Sequence, residues 1–470
     1  MKRFLRWSFR CVIALIILVA AFYGVENWRG KHAWETYRRQ REAKGDSFEW
    51  SSIVPPTVPD AENFAAIPLF AELFPKPPEH PGLEAIKLPD CPNVAGDWRV
   101  GRVENLAAWQ ACFSNNNLLA SLSKYDPILN EIANATHRPK CRFPIRYEDN
   151  IDMLLPHLSY IRHVALGYRL RALAELSTGH SDFALKDVRL CLALAKALEG
   201  EPLEISFLVR IAILERAIQP LWEGLSAHRW TDGQLAELQG EFERVDQFDA
   251  LAKAMRGERL FTRAAMRQLI DKPHERLWGL TWMSNNSFVR LLGQKFGWSV
   301  PTGWMYQNML TADQFYVADL PSVVDWQHRR VILSSNTRIE SSFAVLTPYN
   351  IFGKMLIGSK PIIVRKTAQS QTALAQAAIA CALERYQLAK GELPENLTPL
   401  VPKFIAQVPH DVIDGQPLRY RRTAADQFLL YSVGWNGTDD NGEIALLTGS
   451  KPPRTDFDKG DWVWSSARQD

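Results

Sequence analysis

Two acid–imidazole pairs come closest to general acid–base chemistry in this sequence: His180 with Asp182, and Asp325 with His328. A base of this kind needs its carboxylate within hydrogen-bond reach to hold the ring. In helical segments such neighbours are more commonly solvated surface groups. His157 and His163 are six residues apart, which places them on different faces of a helix, so an i, i+4 metal pair is not formed. No G-x-S-x-G elbow, H-E-x-x-H helix, G-x-x-x-x-G-K-S/T loop or G-x-G-x-x-G turn occurs, and no C-x-x-C supports a zinc or redox site. No catalytic residue is therefore assigned, and the expectation leans away from an enzyme. The remaining chemical feature is aromatic: Trp278, Trp282, Phe288, Phe296, Trp298, Trp304, Tyr306, Phe315 and Tyr316 crowd one segment. A groove for sugar or peptide can be built this way. Burial against a helical body is the commoner use.

The chain that must position these residues has 470 of them, 23% charged and 11% aromatic, which excludes a disordered or low-complexity bulk. Fifty-five basic against 52 acidic residues leave a formal charge of +3, too small for nucleic-acid binding by the whole chain. The most informative element comes first. Lys2, Arg3, Arg6 and Arg10 precede an uncharged run from Cys11 to Val25, closed by Glu26. Fifteen such residues at ~1.5 Å each cover ~22 Å, less than a ~30 Å hydrocarbon core, so Arg10 and Glu26 are expected to snorkel. Trp7, Tyr23 and Trp28 then fall at the interfaces. Val19 and Ala21 would suit a cleaved signal peptide. The run continues through bulky Phe22 and Tyr23, which favours an uncleaved anchor. Basic residues lie on both sides of the span, and the short leading tail points to N-terminus in and bulk outside.

A charged helix is expected to continue from Glu26 to Lys44, followed by a linker in which ten prolines between Pro55 and Pro92 forbid long helices. Within it, Phe64, Leu69, Phe70, Leu73 and Phe74 suit one short helix laid on the body. Residues 148–225 carry the clearest helical periodicity: Leu154, Leu158, Ile161, Ala165, Tyr168, Ala172 and Leu176 form one stripe, and Ala184, Val188, Leu192, Ala195 and Leu198 another. Gly179 separates them, predicting antiparallel hairpins. The turn around Gly179 and Ala184 resembles that of a tetratricopeptide repeat, but no second copy recurs, so a generic bundle is expected. Residues 232–270 predict a solvated outer helix. An Ala-rich helix spans Thr367 to Lys390, with Ala375, Ile379, Ala382, Tyr386 and Ala389 on one face, and a β-hairpin joins Leu418–Arg422 to Phe428–Val433. Cys191 and Cys381 fit buried thiols, whereas the pairing among Cys91, Cys112 and Cys141 stays open.

The stretch ALERYQLAKGELPENLTPLV, with DGQPLRYRR and FLLYSVGWNGTDDNGE, resembles the soluble domain of type II secretion major pseudopilins over residues 367–443. Those proteins carry the helix directly after a prepilin-peptidase site, and residues 1–26 have none, so a shared small fold is implied and pilus assembly is not. The resemblance also implies calcium in the loop after the hairpin, at Asn436, Asp439, Asp440 and Asn441, with Glu443, Asp456, Asp458 and Asp461 nearby. Clustered hard oxygen ligands are what calcium requires, although the spacing is not that of an EF-hand. More loosely, PPTVPDAENFA at 55–65 and GWMYQN at 303–308 are similar to an uncharacterised group of membrane-anchored bacterial proteins.

These readings define a mainly α protein: a cytoplasmic tail (1–10), a transmembrane anchor (11–26), a juxtamembrane helix and Pro-rich linker (27–110), a helical-hairpin bundle (111–350) and a small α+β pseudopilin-like C-terminal module (366–470). The expected protein is single-pass in the inner membrane with its bulk extracytoplasmic. Its expected role is a scaffold or interaction protein with a protein partner and no nucleic acid. The alternative is an extracytoplasmic hydrolase or a carbohydrate- or peptide-binding protein that uses residues 278–316.

Overall fold

The computed structural model describes residues 2–74, 88–89, 91, 95–113, 117–273, 276, 297–342, 345–358, 360–450, 453–466 and 468. The chain is mostly helical, at 61%. The long helices are α1 (Lys2–Glu42), α2 (Pro156–Ser177), α3 (Ser181–Ala197), α4 (Glu204–Ser226), α5 (Asp232–Glu243), α6 (Gln247–Asp271), α7 (Thr302–Gln314) and α8 (Lys360–Lys390).

Helix α1 runs unbroken for 41 residues, and among the described residues it alone is long and apolar enough to cross a membrane, with a mean hydropathy of 2.2 over its most apolar window. Phe4, Trp7, Ile16, Leu18 and Phe22 are exposed, and burial begins at Glu26. The part of α1 before Glu26, from Lys2 to Val25, is ~36 Å long at ~1.5 Å per residue, more than the ~22 Å of its uncharged run. Beyond it, α1 lies against α7, and the two helices run in the same direction: Asn27 accepts from the Gly303 N–H (2.9 Å), and Tyr37 donates to Asp313 (2.8 Å). Two glycines set the approach. A Cβ on Gly303 would lie 1.9 Å from the Glu26 carbonyl oxygen, and one on Gly30 would lie 2.0 Å from the Gly303 carbonyl oxygen. Below this crossing Trp34 packs with Met266, Met305, Met309 and Phe352.

The helical bundle forms from α2 to α5. Gly179 turns the chain between α2 and α3 with φ +85°, and Ala184 is fully buried where α3 meets α2. The start of the Pro-rich region is docked on this bundle. Phe64, Ile67, Phe70 and Leu73 are buried in the same core, Pro68–Ala71 form a short helix, and Phe70 meets the edges of Phe143 (5.3 Å) and Tyr160 (6.0 Å). Residues 232–270, expected as one solvated helix, are two, because Asp246 breaks the run and caps α6 through the N–H groups of Phe248 and Asp249. The expectation of solvation fails along α6, where Thr262, Arg263 and Met266 are buried.

Helix α8 departs from its one-faced pattern. All residues from Ala377 to Leu383 are buried, because the helix passes between the bundle and a three-stranded antiparallel sheet. Small side chains make this possible, since they let neighbours approach from every side. Short strands β1 (Val324–Asp325) and β2 (Arg330–Val331) pair near its start. The main sheet has order β3 (Arg419–Arg422), β4 (Phe428–Ser432), β7 (Trp462–Ser465), with Tyr420 opposite Leu430 and Leu430 opposite Trp464; β5 (Ile444–Leu446) and β6 (Thr455–Gly460) form a separate pair. Gln376 of α8 donates to the Trp462 carbonyl at 2.7 Å and ties helix to sheet. Cys91 and Cys112 form a disulfide, while Cys141, Cys191 and Cys381 are free.

Replacing Gly303 by Ala drives a methyl group into the Glu26 carbonyl and is expected to cost ~1–3 kcal/mol by overpacking. Gly24→Ala, which has open space around it, is expected to leave stability unchanged or slightly raised. Thermal unfolding of the detergent-solubilised chain compares them, and equal midpoints would show that the helices do not meet there.

Candidate functional site

The densest polar arrangement joins α1, α6 and α7. Asp313, at the end of α7, has a side chain with 0% exposure, and buried carboxylates survive only when hydrogen-bonded and paired. Arg259 and Arg263 are four residues apart on α6 and therefore share a face. Arg259 donates Nε and Nη2 to the two Asp313 oxygens at 2.9 and 2.8 Å, and Arg263 donates Nε to the same carboxylate. Tyr37 of α1 is the third donor. Arg259 also reaches Asp46 (2.9 Å), which Arg41 holds at 2.6 Å, so the turn after α1 is tied in as well. The guanidinium carbon of Arg263 lies over the Phe48 ring, 3.7 Å from its centre. Burial pushes the Asp313 carboxyl up, but its hydrogen bonds to Arg259 and Arg263 win and hold it below the usual range. Burial and the neighbouring Asp313 push the Tyr37 hydroxyl up to about 12.

At the other end of α7, helix α1 is fastened again. Glu26, expected to snorkel, instead accepts from the Trp304 indole (2.8 Å) and from Arg29 (2.9 Å). Phe22 stands edge-on to Trp304, Tyr349 packs on the same ring, and Arg29 lies over Tyr349. Tyr23 donates to the Ser299 carbonyl, beside Trp298, which is 66% exposed. The aromatic segment is thus partly accounted for. Trp304 is bonded to α1, Phe315 and Tyr316 are buried, and Trp278, Trp282, Phe288 and Phe296 lie outside the described residues.

The acidic loop of the C-terminal module is built from local bonds. Asn436 donates to Asp440 (2.8 Å), Asp439 accepts the Asn441 N–H (3.0 Å) and lies 3.5 Å from Arg419, and Asn441 takes a left-handed φ of 59°. Asp461, a full loop away, accepts the N–H groups of Asp440 (3.3 Å) and Gly442 (2.6 Å). Burial pushes its carboxyl up to about 6 against those two bonds. Among the described residues no three His, Cys, Asp or Glu side chains are grouped to hold a metal ion. Asp411 orders the other end of the module. It is fully buried and accepts from Ile413 N–H (2.9 Å), Ser432 hydroxyl (2.9 Å) and Val433 N–H (3.0 Å).

Of the two acid–imidazole pairs, His180 and Asp182 separate. His180 meets Glu175 and Thr178, each at 3.0 Å, and Asp182 accepts from Gln234 (2.7 Å). Asp325 and His328 do meet at 2.9 Å, on the exposed turn between β1 and β2. His163 bonds back to the Ser159 carbonyl, while His157 is fully buried, 2.8 Å from Glu201 and stacked on Phe143. Ser206 donates to the same Glu201, so the carboxylate rather than the imidazole is central, and the order needed to activate a serine is not formed. Sequence reasoning missed the Asp313 group. Its only linear trace is the four-residue spacing of Arg259 and Arg263, which also suits a solvated face. Comparison with protein-family models, with curated proteins and with solved structures found no match.

The Asp461 carboxyl sits above its ordinary 3.8, so its contribution to stability is present at low pH and lost as pH rises through about 6. Wild type is therefore expected to gain thermal stability relative to Asp461→Asn as pH falls from neutral toward 4. A pH-independent difference would show that this carboxyl titrates normally.

Proposed function

We propose that the chain is a membrane-anchored platform on which another protein assembles, with its bulk on the extracytoplasmic side of the inner membrane. The observation that carries this reading is the continuity of α1. Its apolar part passes without a break into a part fastened to the body by Glu26, the Gly30 and Gly303 crossing and the Asp313 group. A flexible tether serves an enzyme that searches for substrate, whereas a fixed orientation suits a body that must present one face to a partner beside the lipid. The Cys91–Cys112 disulfide supports an oxidising compartment. Exposed Trp298, next to the carbonyl bound by Tyr23, falls where α1 leaves the apolar layer and suits an interfacial position.

The experiment uses tagged full-length chain extracted in detergent, with Gly303→Ala as the comparison. A defined protein is expected to co-purify with wild type and to be reduced with the variant, while both chains remain in the membrane fraction. Recovery of the wild-type chain in the soluble fraction would remove the anchor. Recovery in membranes with no reproducible partner would remove the platform alone.

A shared fold with pseudopilin soluble domains is part of the same reading, supported by helix α8 followed by the β3–β4 hairpin. It carries a calcium proposal for Asn436, Asp439, Asp440 and Asn441. Binding would require Asp439 to leave Arg419 and Asp440 to leave Asn436. A calcium-dependent rise in Tm that Asp439→Ala with Asp440→Ala abolishes is the expected signature, and an unchanged Tm overturns it.

A further inference from the structure

Two patches of exposed apolar side chains adjoin the place where α1 leaves the body. At the first, Trp298 is 66% exposed and precedes Ser299, whose carbonyl accepts from Tyr23. At the second, Val345 and Leu346 are 65% and 58% exposed. Tyr349, three residues beyond Leu346, packs edge-on against Trp304 at 5.9 Å, and Trp304 in turn meets Phe22 edge-on at 6.3 Å. Phe22 and Tyr23 point about 100° apart around α1, so the two patches stand at different positions about one helix. Phe22 and Val25 of α1 are themselves exposed.

The second patch is a built turn. The Val345 carbonyl accepts from the Asn350 amide (3.2 Å) and the Lys354 ammonium (2.7 Å), Asn350 Oδ1 accepts the Thr347 N–H (2.7 Å), and the Pro348 carbonyl accepts from Asn308 of α7 (2.8 Å). Bonding these backbone groups within protein lowers the cost of taking them out of water. The turn leads into a short helix, Ile351–Ile357. Asn308 Oδ1 accepts the N–H groups of Phe352 (2.8 Å) and Gly353 (3.0 Å), whereas Ile357 shares a core with Ala312 and Phe315 at the far end of α7. The short helix therefore runs alongside α7 in the same direction. Its leading turn faces the end of α7 from which α1 emerges, where Trp304 holds Glu26.

We propose that the body itself seats on a lipid surface, with Trp298 and the Val345–Leu346 turn entering the edge of the apolar layer beside α1. This rests on the reading of α1 as a membrane anchor and adds two contacts to it. Lipid is the occupant that the placement favours, because one apolar medium around Phe22 and Val25 continues onto both patches, whereas a protein would have to encircle α1 to cover them. An exposed tryptophan at that level is typical of a membrane interface. A single helix leaves the body free to tilt in the bilayer, and three contacts at different positions about it do not.

The test uses the full chain in phosphatidylcholine vesicles, with Cys11→Ala and Cys141→Ser and a single nitrobenzoxadiazole label on Trp298→Cys, Leu346→Cys, Leu18→Cys or Phe183→Cys. Cys191 and Cys381 are buried and stay unlabelled. All four labelled positions are exposed, so each variant is expected to unfold at the wild-type midpoint. Lipid carrying a nitroxide near the top of its acyl chains is expected to quench the labels at 18, 298 and 346 and to leave the one at 183, on α3, unchanged. Absence of quenching at 298 or at 346 overturns the seat. If Leu18→Cys is quenched in that case, the anchor stands alone, and if it is not, the anchor falls as well. A blue shift at 346 that ignores the nitroxide assigns the turn to a protein contact and likewise overturns the lipid seat.

Discussion

The carboxylate of Asp313 is the point on which α1, α6 and α7 close. It is completely buried, and its negative charge is tolerated because two arginines of α6 and the phenol of Tyr37 converge on it. Each donor comes from a different element or a different turn, so the group fixes α1, α6 and α7 against one another in a way that apolar packing alone would leave free to slide. Removing one member of such a group leaves the others buried and unpaired, which typically costs ~3–5 kcal/mol. The second fastening, around Glu26 and Trp304, prevents the two parallel helices from splaying where α1 leaves the body. Glycines at positions 30 and 303 allow the backbones to meet between these two polar clamps.

This arrangement changes what the apolar run means. The uncharged stretch taken alone is too short for a hydrocarbon core, and the helix that contains it is not. Glu26 marks where α1 becomes buried, and its charge is satisfied within protein. Phe22 and Tyr23, at the end of the exposed part of α1, are then held by contacts to α7 and to the chain just before it. Orientation of the body relative to the exposed apolar part of α1 follows from the rigidity of one helix.

Much of the helical architecture was legible because burial on one side of a helix leaves a period in the sequence. The stripes in α2 and α3 and the glycine between them correspond to a real hairpin, and the Leu418–Val433 pattern corresponds to β3 and β4. Failures arise where burial is not one-sided or not apolar. Helix α8 is enclosed all round, so its stripe understated its burial, and β7 returns from beyond two intervening strands to complete the sheet. On α6, charged residues are interior because their partner lies on α7, fifty positions away from Arg263.

Sequence by itself determined the apolar helix at the start, the helical class of the body, the hairpin turns and the small β module, since each follows from local periodicity or from a residue with a fixed backbone preference. It also bounded the chemistry by containing none of the compact catalytic motifs. Tertiary structure alone decided that α1 is clamped to the body, that Cys91 rather than Cys141 pairs with Cys112, and that His180 turns to Glu175. The physical reason is that charge pairing and desolvation depend on which distant groups share a low-dielectric interior, and spacing along the chain carries no record of that.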